Sequence, residues 1–487
     1  MVRRKFGTAL SAIALLSACG GGGGNGGSDG AVVPPPIAGV PTPAPPPPPP
    51  PSQSGAGCSV VERQNWAGAQ LNEWYLFPET LPTNRTPTQA TVEAYIDFLT
   101  ATARAQGRDR FFTYLTSIAQ ENAFFSSGST AGFGIRLSLD SGQRRLFVSE
   151  AFEGAPALAA GIDRGTEIVA IGTTSGNLRT VDAIIAAEGT AGLNAALGPS
   201  DAGTTRVLRI TNAGGTREVS VTKANFELTP VSSRYGARIL DDGGKRVGYV
   251  NLRTFISTAD PALRSAFAQF RAAGITEVIV DLRYNGGGLV SIAELMGDLL
   301  GRDRSTSDVF SYTAFRPEKA SNNSTDFFRP QPQSVAPTRI AFIGTGGTAS
   351  ASELVINAFI PYLRNRAALI GTNTFGKPVG QIALDRSQCD DRLRVVAFAT
   401  QNAERKGDYF AGLARTVEAS CQAADDVSRQ LGDPLEASTR QALDFLANRS
   451  CTPISTSQSA QSATSRGQTL LTPDRPNTVQ REVPGSF

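Results

Sequence analysis

The chain has 487 residues, 40% hydrophobic and 18% charged, and its 46 basic and 43 acidic side chains leave a net charge of +3. That near-balance excludes the strong basic footprint of a nucleic-acid-binding protein, and no basic amphipathic helix suggests docking on a membrane surface. The chain contains no histidine, which excludes Ser-His-Asp triads and histidine-based metal sites.

In chain order, Arg3, Arg4 and Lys5 precede a short apolar run, Phe6 to Leu16, and the small residues Ser17 and Ala18 lead to Cys19. This is the pattern of an export signal over 1–18. The run is shorter than the about 20 apolar residues that cross a bilayer. "LSAC" resembles the bacterial lipobox, which implies that Cys19 is acylated and that the protein is a lipoprotein anchored to a bacterial membrane and facing the periplasm. A plain cleaved signal is the alternative. Residues 19–57 read as a tether, Gly-rich at first and then Pro-rich, with seven consecutive prolines from Pro45 to Pro51. Beyond Cys19, the four cysteines Cys58, Cys389, Cys421 and Cys451 suit disulfides in an exported protein, and three full pairings are open.

Residues 58–129 are expected to be helical. In "TVEAYIDFL", Val92, Tyr95, Ile96 and Leu99 share one face behind the cap residue Thr91, and this face is expected to pack against the region that follows. Residues 130–230 change to short strand-like runs, ending in two strands around an Asn-Ala-Gly-Gly turn. "GFGI" and "PALAAGIDRGTEIVAI" resemble a PDZ domain. The resemblance implies that Gly132, Phe133, Gly134 and Ile135 form a carboxylate-binding loop that accepts a peptide C-terminus by strand addition. A small supporting β-barrel is the alternative.

Residues 235–450 alternate strands and helices, as in an α/β domain. "ITEVIVDLR" has the nearly continuous apolar run of a central buried strand. Three loops are expected at the carboxyl edge of the sheet, where sites form: "DLRYNGGG" (281–288), "GTASASE" (347–353) and "TFGKPVGQ" (374–381). "GTNTFGKP" almost spells a phosphate-binding loop, but Pro378 stands where its Ser or Thr belongs. Without histidine, a serine nucleophile needs another base, and a neutral lysine can serve. Burial beside Phe375, near the positive end of the helix behind Ser350, is expected to depress the Lys377 pKa. Residues 451–487, rich in Ser, Gln, Thr and Pro, are expected to be disordered.

The three loops, in this order, resemble those of the C-terminal processing, or tail-specific, serine peptidases. That family implies a crotonase-like (ClpP-like) α/β core with an inserted PDZ-like domain and a helical N-terminal region. It implies Ser350 as nucleophile, Lys377 as general base and Gln381 as the residue orienting the lysine. The Ala351 N–H and one from Gly286 or Gly287 would form the oxyanion hole. Ser352 is the fallback nucleophile. Thr348 and Pro378 depart from the family pattern. The resemblance implies a serine endopeptidase with no cofactor or metal, acting on proteins or peptides near their C-termini. A catalytically inactive peptide-binding scaffold is the alternative, and an acyl-CoA enzyme a remoter one.

Overall fold

A computed structural model describes residues 57–455 and 468–487. The expected signal, Cys19 and all of the tether except residue 57 lie outside the described residues. Among the described residues, no helix is long and apolar enough to cross a membrane.

The N-terminal helices form where the sequence supplies caps. Ser59 and Glu62 make a capping box at Val60–Trp74, and Thr91 Oγ accepts from Ala94 N at the head of Val92–Ala105. Val92, Tyr95, Ile96 and Leu99 are buried together, as the helical spacing predicts. Their partner differs from the expectation, because they pack with Leu393, Val395 and Val396 of the strand Asp391–Gln401 rather than against the following β region. A disulfide, Cys58–Cys389, and an ion pair between Arg63 and Asp391 fasten the helices there. The second disulfide joins Cys421 and Cys451.

Residues 129–227 build a β domain. Its main sheet runs Ile135–Asp140, Arg145–Ala151, Glu167–Gly172, Thr205–Asn212 and Gly215–Thr222, paired antiparallel in that order. The last two strands meet at the expected Gly-rich turn, where Gly215 has φ +88°. A helix that alternation does not announce, Val181–Leu197, buries Ile184, Leu193 and Leu197 in the core of this domain.

The α/β core is a six-stranded sheet in the order Ala237–Asp242, Lys245–Asn251, Glu277–Asp281, Arg339–Gly344, Ala367–Gly371 and Ala419–Gln422. Only the first pair is antiparallel. The apolar strands serve both faces by simple alternation. Val278, Val280, Ile340 and Phe342 join the helices Ala259–Ala272, Val290–Leu300 and Ala351–Leu363 in one core. Ile279, Ala341, Ile343 and Ile370 pack with Ala437–Leu446 in the other. The glycine, serine and lysine loops therefore leave the carboxyl ends of three adjacent parallel strands, ending at Asp281, Gly344 and Gly371.

The expectation of a disordered tail is corrected over 468–487. Gln468–Leu470 forms a strand and Thr478–Glu482 a short helix. Leu471, Val483 and Phe487 are buried at 2%, 0% and 6% exposure, so a segment poor in apolar residues nonetheless buries three of them.

Candidate active site

Ser350 caps the helix Ala351–Leu363 with φ +55° and ψ −114°, a conformation that costs a non-glycine residue about 1–3 kcal/mol. The surroundings enforce it. Ala349 N donates to Asn285 O at 2.9 Å, and Thr348 Oγ donates to Leu282 O at 2.8 Å, so the serine loop is stitched to the glycine loop on both sides. Thr348 thus has a structural task that any hydroxyl there performs. Ser352 Oγ is buried and donates to Asn285 O at 3.0 Å, whereas Ser350 is half-buried. Gly287 has φ +123°, and a Cβ there would lie 2.8 Å from Ser350 Cβ and 3.2 Å from Ala351 N. Only glycine fits this close approach.

One residue that the sequence reading left without a role joins the loops. The buried Glu353 carboxylate accepts from Ser350 N at 3.1 Å and Lys377 N at 2.7 Å through the same oxygen, Oε2. Its Oε1 accepts from Gly376 N at 2.7 Å. The serine and lysine backbones are therefore neighbours, held by one side chain. Burial pushes the Glu353 pKa up, while the hydrogen bonds from Thr374, Lys377, Gly376 and Ser350 pull it down. Ser350 and Glu353 have the spacing of a capping box, a signal that was legible; the reach to residues 376 and 377 was not. Glu353→Ala is expected to leave three backbone N–H groups without their acceptor, at about 1–3 kcal/mol each. Chemical denaturation and steady-state kinetics check this: stability and kcat should fall together.

The Lys377 amine donates to Gln381 Oε1 at 2.8 Å, and Gln381 Nε2 donates in turn to Phe112 O. A register shift between Gly380 and Gln381, in the pairing of Val379–Arg386 with Asp391–Gln401, alters which way Gln381 points. The amine lies 5.2 Å from the centre of the Phe112 ring. Burial lowers the Lys377 pKa, and the nearby Glu482 carboxylate acts in the opposite direction. Pro378 O accepts from Thr400 N at 3.0 Å, so Pro378 leads the loop into the sheet. Arg110, also unassigned from sequence, donates to Phe375 O at 2.6 Å and Gly376 O at 2.5 Å and steadies the lysine loop.

The glycine loop rests on a buried ionic base in which Arg283 binds Glu436 through both terminal nitrogens at 2.9 Å. Gly287 N donates to Asn285 Oδ1 at 2.9 Å, and Gly286 N donates to Glu482 O of the tail at 3.0 Å. Lys377, Gly286 and Phe375 line a cleft of about 1050 Å³, together with Arg481 and Glu482. Ser350, Ala351, Gly286, Gly287, Lys377 and Gln381 thus form one cluster. Gly132, Phe133, Gly134 and Ile135 lie in the β domain, where Gly134 N donates to Phe487 O at 3.0 Å.

Residues 246–406 match the model of peptidase family S41. The chain is 29% identical over 278 residues to the chloroplastic C-terminal processing peptidase of Tetradesmus obliquus, covering 54% of each. It is 29% identical over 257 residues to a carboxyl-terminal-processing protease of Picosynechococcus sp., covering 52% of this chain and 55% of that one. The chain spans about half the length of these curated relatives. A solved structure described as a putative S41 protease from Bacteroides fragilis aligns with a TM-score of 0.60 at 24% identity, covering 79% of this chain and 97% of that one, a likeness of fold. The chain therefore carries a peptidase family S41 domain and is related to the carboxyl-terminal-processing proteases.

Proposed function

We propose that the protein is a serine endopeptidase acting through Ser350 and Lys377 on proteins or peptides presented by their C-terminal segments. The observation that carries the reading is the shared Glu353 oxygen, which makes the Ser350 and Lys377 backbones neighbours while Gln381 holds the lysine amine. Neutral Lys377 takes the Ser350 hydroxyl proton as Oγ bonds to the scissile carbonyl carbon. The resulting oxyanion is met by Ala351 N–H and a glycine-loop N–H, a type of donor worth about 2.7–4 kcal/mol when one is lost. The C–N bond then breaks and Lys377 returns the proton to the leaving amine. Water attacks the acyl-enzyme, gives a proton to Lys377, and the carboxylic acid product leaves as Ser350 regains its hydrogen.

The β domain serves as a PDZ-like module that receives an extended peptide at Gly132–Ile135. Cys19 is the lipid attachment site, placing the enzyme in the cell envelope on the periplasmic side of a membrane. A fluorophosphonate probe is expected to label the wild-type chain and not Ser350→Ala. Unchanged labelling in the variant, or none in either once residues 468–487 are displaced from the cleft, would remove the assignment. Metabolic palmitate incorporation is expected to vanish in Cys19→Ala, checked by gel fluorescence of a clickable analogue.

A further inference from the structure

The tail occupies the places that an incoming peptide needs. The edge of strand Ile135–Asp140 that faces away from Arg145–Ala151 is filled by two pieces of tail in one line. Gln468–Leu470 pairs antiparallel with Ser138–Asp140, and Leu471 N donates to Leu137 O at 3.0 Å. The line resumes where Leu137 N donates to Gly485 O at 2.8 Å and Phe487 N to Ile135 O at 2.9 Å. Gly134 N closes it on Phe487 O, and the Phe487 side chain is buried in the same apolar cluster as Phe133, Leu193 and Leu197.

The residues between the two pieces run along the cleft, which Thr472, Pro473, Pro476 and Pro484 line. The helix Thr478–Glu482 is pinned there by Arg481, which donates to Phe111 O at 2.7 Å and lies 3.9 Å over the Tyr114 ring. Glu482 O takes the Gly286 N–H, and Asn285 holds that of Gly287, so neither candidate oxyanion donor of the glycine loop is open. The Glu482 side chain is 7% exposed, and its Oε2 has no hydrogen-bond partner among the described residues. Its carboxylate is the main opposite charge acting on Lys377. The tail is helical here, with Val483 N donating to Val479 O at 2.7 Å, so it covers the site without offering an extended bond to it.

We propose that residues 468–487 are an intramolecular ligand that occludes the groove and the cleft, displaced by extended peptides carrying a large apolar residue at the position of Phe487. Occlusion of catalysis rests on the peptidase reading; occupation of the groove does not. A tethered segment acts at an effective concentration of order millimolar, so an external peptide competes poorly with it.

The test uses full-length Ser350→Ala protein and a fluorescein-labelled synthetic peptide of residues 477–487. By fluorescence anisotropy, adding Phe487→Asp to the protein is expected to tighten peptide binding by roughly tenfold or more, because the competent state is no longer covered. A labelled peptide bearing Phe487→Asp should not bind. Should Phe487→Asp impair folding, a site-specific protease sequence placed within 456–467 allows the tail to be cut after folding and diluted away, and the same gain is expected. Equal affinity before and after opening, by either route, overturns the proposal. With Ser350 intact, the opened chain should hydrolyse a reporter peptide at least about tenfold faster. Tighter peptide binding without hydrolysis in either form would leave the tail assignment standing and remove the peptidase reading.

Discussion

Ser350→Ala, measured in protein opened at the tail, is expected to lower kcat by about 10⁶-fold, the size of loss seen when a serine nucleophile is removed from another fold. Ser352→Ala separates the two hydroxyls of the loop. Ser352 Oγ is buried and committed to Asn285 O, so its removal should cost about 1 kcal/mol of stability and leave probe labelling intact. A third variant tests the backbone. At φ +55°, Ser350→Gly relieves strain that Ser350→Ala retains. Both should be inactive, but the glycine variant should be the more stable in urea by about 1 kcal/mol. Equal stability of the two would mean that the loop does not hold this conformation in solution.

The meeting of the three loops at one edge of the sheet was legible because each signal is local. An apolar run announces a buried parallel strand, and the glycine, hydroxyl and lysine residues that follow three such strands fall at one edge of the sheet. Glu353 was half legible, since its capping-box spacing is local but its grip on Gly376 and Lys377 joins residues more than twenty positions apart. Val181–Leu197 was obscured by alanine and glycine, which give a helix little apolar contrast. The partner of the N-terminal helices and the choice among cysteine pairings depend on contacts such as Cys58 with Cys389, which no window of sequence spans. The tail misled for a related reason. Leu471, Val483 and Phe487 have no common period: a strand edge more than three hundred residues earlier orders Leu471 and Phe487, whereas Val483 packs with Phe124, Phe152, Leu228 and Ile256.

Lys377 carries the second large effect. Lys377→Arg keeps the charge, but a guanidinium does not give up its proton near neutral pH, so it is no better a base than methionine. Both variants are expected to lose about 10⁴-fold or more in kcat/KM, and Lys377→Arg should not be rescued by raising the pH within the stable range. In the wild type the active form is the neutral amine, so the rate should rise with pH through an apparent pKa below the ordinary lysine value, because burial disfavours the charge. The groups acting on that amine are Glu482, Arg481, Arg394 and Asp109. Glu482 is the largest of those that favour the protonated lysine, so in the chain with its tail docked Glu482→Gln should move the rising limb of the kcat/KM–pH profile, which reports the free enzyme, to lower pH.

Stability provides an independent sign. With its folded pKa depressed, Lys377 binds fewer protons folded than unfolded between that value and about 10.4. Wild-type stability should therefore gain on Lys377→Met as pH rises through this window, with the comparison made in the Glu482→Gln background so that no carboxylate is left facing an apolar chain. Wild-type stability that stays level with Lys377→Met, or falls against it, across this window would mean that the lysine stays charged in the fold, and it would then have no proton vacancy for Ser350.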